Sequence, residues 1–528
     1  MKRLIATILL LGACLSLYAQ SASWTVRRNA DKIARALFFL ENRYVDTLDM
    51  DKLVDAMLEK MMTELDPHST YIPRDRVEEV NEPLDGSFEG IGIEYTMLSD
   101  TLTVQSVIVG GPAEAVGLRA GDKILAVDGE NVAGIGLTAT GVRSRLRGPK
   151  GSRVEVTALR GGQEQDFVIR RDRIPLESLD AAYLPSPDVV YLKLSRFAQS
   201  SADEIVDALR RLTVRRPSGI ILDLRGNGGG FMHVADQIAD MFLERGQTIV
   251  RTVGNGIDRE DQATGSGFYK EGPLVVLVDE NSASASEILA GALQDWDRAV
   301  IVGRRTFGKG LVQQQYDLQD GSEMRLTVAR YHTPSGRAVQ SPYALGQRDA
   351  YYRQSQERYN RGESFSLDSI ALPDSLIYHT RRLGRVVYGG GGILPDVFVP
   401  YDTTGYNRFF VRVVGTGALS EYAYDYIDKH RDALQADDLE RFLERYAALE
   451  SDAYAGLLAF CAGKGIEAEE DELAVCAPFL KTRLKALLAR APLGMTGYWQ
   501  VINREEDAGF LRALEVIDRW NLTGKIPL

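Results

Sequence analysis

The sequence predicts an α+β multidomain chain: a helical N-terminal cap, a small β domain, an α/β core and a helical C-terminal region. Three observations predict it. From about 173 to 400, apolar runs such as Gly219-Ile220-Ile221-Leu222-Asp223-Leu224, Leu274-Val275-Val276-Leu277-Val278 and Ala299-Val300-Ile301-Val302 alternate with helical stretches near Met232 to Leu243 and Ala285 to Asp295. That is the pattern of an α/β layer around a buried sheet. From about 84 to 172 the runs are short, β-type and separated by glycine turns. At both ends apolar residues recur instead at helical spacing.

Taken in order, residues 1–19 open with Lys2 and Arg3 before an apolar run from Leu4 to Leu11, too short to span a bilayer. They predict a secretory signal peptide cleaved after Ala19, with lipidation at Cys14 as the alternative. The expected location is therefore the bacterial periplasm or cell envelope, with membrane association through that lipid under the alternative. Residues 24–83 carry two amphipathic patterns, Ile33 to Phe38 and Leu53 to Met61, before the turn Asp66-Pro67-His68-Ser69-Thr70, and predict a helical cap. A polar stretch at about 341–392, rich in Tyr, Arg, Gln and Ser, interrupts the core of 173–400. Residues 401–528 read as helices without legible chemistry.

A length of 528 residues corresponds to about three to four domains. The net charge of −12, with no sizeable basic patch, gives a nucleic-acid partner no electrostatic support. The five histidines fall at no metal-ligand spacing, so neither a metal nor a cofactor is expected. In an exported chain Cys461 and Cys476 either pair or pack as thiols.

The segment 84–172 resembles a PDZ domain. Gly90-Ile91-Gly92-Ile93 matches the loop whose backbone N–H groups hold a peptide's terminal carboxylate while the peptide adds as a strand, and Gly117-Leu118-x-x-Gly121-Asp122-x-Ile124-Leu125-x-Val127-Asp128-Gly129 continues the likeness. Read without the resemblance, those first glycines equally turn a hairpin.

Gly303-x-x-x-x-Gly308-Lys309 imitates a phosphate-binding loop. Such a loop needs Ser or Thr after its lysine to hold Mg²⁺, and then a helix. Position 310 is Gly, and Leu311 to Leu318 lacks a helical stripe, so no nucleotide is expected. "LDLRGNGGGFMHVADQIA" is similarly short of a dinucleotide fingerprint, with Phe231 at the third glycine position.

Ser284, at a strand-to-helix junction, fits a capping box with Glu287 and also fits a nucleophile. Serine needs a base, and no histidine lies nearby in sequence. A lysine serves if neutral; at a pKa near 10.4 only about one in a few thousand is neutral at pH 7, but burial lowers that value by up to about 3–5 units. Phe307, Gly308, Gly310 and Leu311 give Lys309 an uncharged sequence neighbourhood suited to burial.

Asn281 to Glu287 ("NSASASE") and Thr306 to Gly310 ("TFGKG"), with "LDLRGNGGG" and "DGSEMRLTVARYHTPSGRAVQ", resemble the carboxy-terminal processing proteases, or tail-specific proteases, over roughly residues 30–400. The resemblance implies a PDZ-containing serine endopeptidase with a crotonase-like α/β core, Ser284 as nucleophile, Lys309 as base and Gln313 orienting the lysine. With geometry it implies an oxyanion hole from the backbone N–H of Ala285 and one from the Gly229-Gly230 turn. It further implies that Arg147, before Gly148-Pro149, takes part in PDZ movement; a solvated surface arginine is the alternative. Expected partners are proteins with free apolar C-termini, with a possible envelope adaptor and a possible homo-oligomer. Gly228 stands where the family usually has proline, and about fifty residues intervene between "SGRAVQ" and "ILPDV", so access to the cleft is expected to differ. The alternative function is a non-catalytic PDZ scaffold in the envelope.

Overall fold

The computed structural model describes residues 24–527 apart from 109, 213–215, 371 and 373. The expected leader, with Cys14, lies outside the described residues. The chain divides into two units. One holds the residues up to Val77 with Gln315–Leu326 and Ala344–Arg348; the other holds Glu78–Gln314, Thr327–Tyr343 and Asp349–Leu528.

In the smaller unit a helix over 24–43 precedes the helix Met50–Thr63, whose N-cap Asp49 accepts from the Lys52 N–H. The turn that follows is locked by Asp66, which accepts from the His68 and Ser69 amides at 2.9 and 3.0 Å. Strand Thr70–Ile72 then pairs antiparallel with Glu323–Arg325.

The larger unit is built on a six-stranded sheet in the order Leu179–Ser186, Val189–Leu194, Gly219–Asp223, Leu274–Val278, Val300–Gly303, Val397–Phe398. The first pair is antiparallel and every later pair parallel. Alternate residues face opposite ways, so the central strands need cover on both sides. Helices Ser201–Arg211, Met232–Asp240 and Ala285–Asp295 pack on the face of Leu192, Leu222 and Val276. On the other face Tyr191, Ile221, Val275 and Leu277 meet Phe510, Ala513 and Ile517 of the last helix, Ala508–Thr523. The final helix of the C-terminal region is thus part of the α/β core.

The β domain has its own core, including Leu102, Val104, Ile124 and Val156, around strands Ile93–Leu98, Thr101–Val107, Lys123–Val127, Arg153–Arg160 and Gln163–Arg170 in that order. It joins the rest through an antiparallel ribbon in which Ser87–Gly90 pairs with Asp172–Pro175. Ile93–Leu98 is the edge of its sheet, with helix Ala139–Leu146 across a cleft of about 350 Å³.

Helices from Arg408 to Glu505 enclose a third core around Phe409, Leu457 and Leu484. Cys461 and Cys476 are buried there as free thiols, and burial pushes the Cys461 thiol up to about 11. This region meets the β domain through Lys123–Asp425 (2.8 Å), Ser99–Glu421 (2.8 Å), Arg431–Asp122 (3.4 Å) and Arg490–Glu94. The polar interruption supplies the helix Arg348–Asn360 and the short hairpin Ile377–His379/Val386–Tyr388. Among the described residues no helix is long and apolar enough to cross a membrane.

Candidate active site

Strand Leu274–Val278 ends beside a tight turn in which Asp279 accepts from the amides of Asn281 and Ser282. The chain then enters helix Ala285–Asp295 through Ser284, which has φ 57° and ψ −113°. A non-glycine residue there costs of order 1–3 kcal/mol, a strain that surrounding contacts must hold. Three serines crowd this turn. Ser282 and Ser286 are fully buried and donate to the carbonyls of Leu224 (2.8 Å) and Asn227 (2.9 Å); Ser284 is half-buried at the helix start.

Glu287 organises the site. Its Oε2 accepts from the Ser284 amide at 2.9 Å, the capping contact, and also from the Lys309 amide at 2.8 Å. Its Oε1 accepts from the Gly308 amide at 2.8 Å and the Thr306 hydroxyl at 2.6 Å. One carboxylate oxygen therefore ties the main chain of the serine to that of the lysine. Burial pushes this carboxyl up to about 7 even against the donors that favour its charge. A second tie is the buried Tyr331 hydroxyl, whose one proton is shared between the Ser284 carbonyl, at 3.1 Å, and the Lys309 carbonyl.

Lys309 is half-buried, and its Nζ donates to Gln313 Oε1 at 3.0 Å, so the residue four positions on does meet the amine. Gly308 is required by its backbone: φ is 97°, and a Cβ there would lie 2.1 Å from the Ser341 hydroxyl and 3.1 Å from the Gly392 amide. Leu311–Asp317 is a strand, so the helix that a phosphate-binding loop needs does not follow Lys309.

The glycine turn approaches the same place. A Cβ on Gly229 would lie 2.8 Å from the Ser284 Cβ and 3.0 Å from the Ala285 amide nitrogen, so only glycine permits this closeness. Its own N–H, however, is given to Asn227 Oδ1 at 2.9 Å. The oxyanion donor expected at Gly229 is thus already engaged, in an Asx turn. Gly230 bridges Phe197 through its neighbours, with Phe197 N–H donating to the Gly229 carbonyl and Phe231 N–H to the Phe197 carbonyl, so this bridge does not use the Gly230 N–H. Ala285 is the first residue of a helix whose N-terminus favours negative charge. Behind the turn Arg225 bridges Asp223 and Asp507, and Lys193 also reaches Asp223. Burial would raise the Asp223 carboxyl, but the two cations outweigh it and hold it well below the usual range.

In the β domain, Gly90 closes the ribbon strand, Gly92 has φ 80°, and Ile93 opens the edge strand; Ile91 and Ile93 line the cleft. Arg147 is no solvated surface arginine. It pairs with the buried Glu82 of helix Arg74–Asp85 and lies 4.6 Å over the Phe88 ring, while Arg143 pairs with Glu79.

Glu287 is legible in sequence only as a cap, and neither Tyr331 nor Asn227 stands out there as part of the site. "TFGKG" and "RGNGGG" contain Thr306 and Asn227, but nothing local shows that a carboxylate 22 residues upstream receives the lysine loop.

Among the described residues no cluster of His, Cys, Asp or Glu fits a metal ion. The profile of peptidase family S41 matches residues 188–344, that of PDZ domains residues 90–170, and a family of unknown function (DUF8443) residues 409–494. The chain is 35% identical over 311 residues to the carboxy-terminal processing protease CtpB of Bacillus subtilis, covering 58% of this chain and 64% of that protein, less than two thirds of its length. It is similar in structure to the photosystem II D1 C-terminal processing protease, with a TM-score of 0.34 and 28% identity over 72% of this chain and 96% of that one. The carboxy-terminal-processing protease of Bartonella bacilliformis is 36% identical over 343 residues, 62% of this chain and 78% of its own length, and on that extent of likeness the chain belongs to the carboxy-terminal processing protease family.

Proposed function

We propose that this protein is a serine endopeptidase that takes exported proteins by their free C-terminal tails and cleaves them with a Ser284/Lys309 dyad. The observation that carries this assignment is the Glu287 carboxylate accepting from the amides of both residues, with Gln313 accepting from the lysine amine. Ser284 attacks the scissile carbonyl while Lys309, as neutral amine, takes its proton and passes it to the leaving amine. A water then releases the acyl group by the same exchange. Oxyanion charge is met by the Ala285 N–H at the helix start and the Gly230 N–H. The core takes the crotonase-like arrangement of the family.

The tail enters the β domain beside Ile93–Leu98, an edge strand that pairs with no second strand on its outer side among the described residues, and its carboxylate sits at the loop Gly90 to Ile93. The apolar lining from Ile91, Ile93 and Leu146 suits an apolar last residue. The leader of residues 1–19 supports work in the periplasm or cell envelope.

Mature protein is incubated with an unstructured protein ending in apolar residues, beside Ser284→Ala and Lys309→Ala. Cleavage lost in both supports the dyad. Tail binding with no cleavage by any version points to a scaffold instead, and cleavage retained in either variant removes that residue's role.

A further inference from the structure

The lysine motif is a run of main chain that forms no regular element before Leu311, so its carbonyls and amides must find partners elsewhere. On the amide side the Glu287 carboxylate receives Gly308 and Lys309, and Gln340 Oε1 receives Gly310 at 2.8 Å. The carbonyl side is served largely by the polar interruption. Arg358, on its helix Arg348–Asn360, donates through Nη2 to the carbonyls of Arg305 (3.2 Å) and Thr306 (3.0 Å) and through Nη1 to that of Phe307 (3.2 Å). Tyr351, about two turns earlier on the same face and 4% exposed, donates to the Gly308 carbonyl at 3.2 Å. Four successive carbonyls leading to Lys309 are thus held by two side chains of one helix.

The clamp is itself braced. Glu363 accepts from Arg358 Nε at 3.2 Å and from Arg305 Nη1 at 3.0 Å, and the Phe307 ring packs edge-on against Tyr351 at 6.0 Å. The Gln340 amide donates to the Tyr351 hydroxyl at 3.2 Å. Guanidinium geometry matters because one planar fork reaches carbonyls that a lysine ammonium, a point donor on a flexible stem, cannot reach together. Glycines 308 and 310 leave the motif no stiffness of its own.

We infer that Arg358 and Tyr351 are positioning residues for Lys309, and that residues 348–363 belong to the catalytic apparatus as a buttress of the lysine loop. This rests on Lys309 being the base. Misplacement of a reacting group by about 1 Å costs on the order of 10²-fold in rate, and the loss falls on kcat because substrate is held elsewhere.

The test uses the whole chain, with an unstructured protein ending in apolar residues as substrate and a labelled peptide copying its tail for binding. Arg358→Ala is expected to lower kcat by about 10²-fold while KM and tail affinity stay within about twofold. Arg358→Lys is expected to lose about as much, Tyr351→Phe about tenfold, and added guanidinium ion to restore part of kcat in Arg358→Ala alone. Amide exchange at Gly308 and Lys309 should accelerate in Arg358→Ala while the sheet amides stay protected. Unchanged kcat and exchange in Arg358→Ala would overturn the inference. So would a loss that guanidinium does not restore and that accompanies faster exchange throughout the core, because that is general destabilisation. If Lys309→Ala still cleaves, or the unmodified chain never does, the dyad is wrong; exchange at Gly308 and Lys309 then still decides whether the clamp exists.

Discussion

Asp236, on helix Met232–Asp240, has one carboxylate oxygen buried without a hydrogen-bond partner, and Asp261 has another. Burial, and secondarily the charge of Asp261, push the Asp236 carboxyl up to about 7, with Arg259 pulling the other way. Its ordinary value is 3.8, so between the two the folded chain keeps a proton that the unfolded chain releases. Stability from this group is complete below the lower value and is lost as pH rises through about 7. Asp236→Asn, nearly isosteric and unable to ionise, should be more stable than the natural chain at pH 8 by about 1–3 kcal/mol and close to it near pH 4. Melting temperatures of both proteins across that range check this; a difference independent of pH would show that the amide acts through packing alone.

Helix Ala508–Thr523 shows what an element can conceal. The strands Gly219–Asp223, Leu274–Val278 and Val300–Gly303 are legible in sequence as unbroken apolar runs, and such runs demand cover on both faces. The helices that follow those strands cover one face; the other is closed by a helix more than 200 residues beyond them, and long-range cover leaves no local trace. Ile517 fills the space a side chain would need at Gly219, where a Cβ would lie 2.6 Å from it. Ile517→Ala should therefore cost about 2–5 kcal/mol in urea unfolding; a loss below about 1 kcal/mol would mean the helix sits loosely. The same divide runs through the site. Ser284, Lys309 and Gln313 stand out by type and spacing, and the capping box at Ser284 is real, because Glu287 caps the helix while also receiving the lysine loop. Its second duty and the arginine behind Phe307 depend on tertiary approach, which no window of sequence contains, whereas the Asx turn of Asn227 onto Gly229 is local to the glycine motif. The helix of the polar interruption reaches the back of the lysine motif through Arg358, a contact that its composition does not signal.

At the scale of the whole molecule, the β domain touches the C-terminal region through ion pairs such as Lys123–Asp425 and Arg490–Glu94, partly exposed contacts worth about 0–1 kcal/mol each. Its covalent attachment is the ribbon, where Gly90 faces Asp172 and Ser87 faces Pro175. Because the two ends of the domain lie side by side, residues 91–171 can be excised and the gap closed by a two-residue Asn-Gly turn, which suits adjacent antiparallel strands. The shortened chain should fold, since the sheet core lies outside the excised segment, and should still cut short peptides through Ser284 while losing preference for a free apolar C-terminus over an amidated one. Circular dichroism and the ratio of kcat/KM for the two substrates measure this, and an unfolded product would refute it. A module plugged in through one two-stranded socket can be exchanged for another, so the proposed choice of tail is expected to travel with the module and to leave the sheet core untouched.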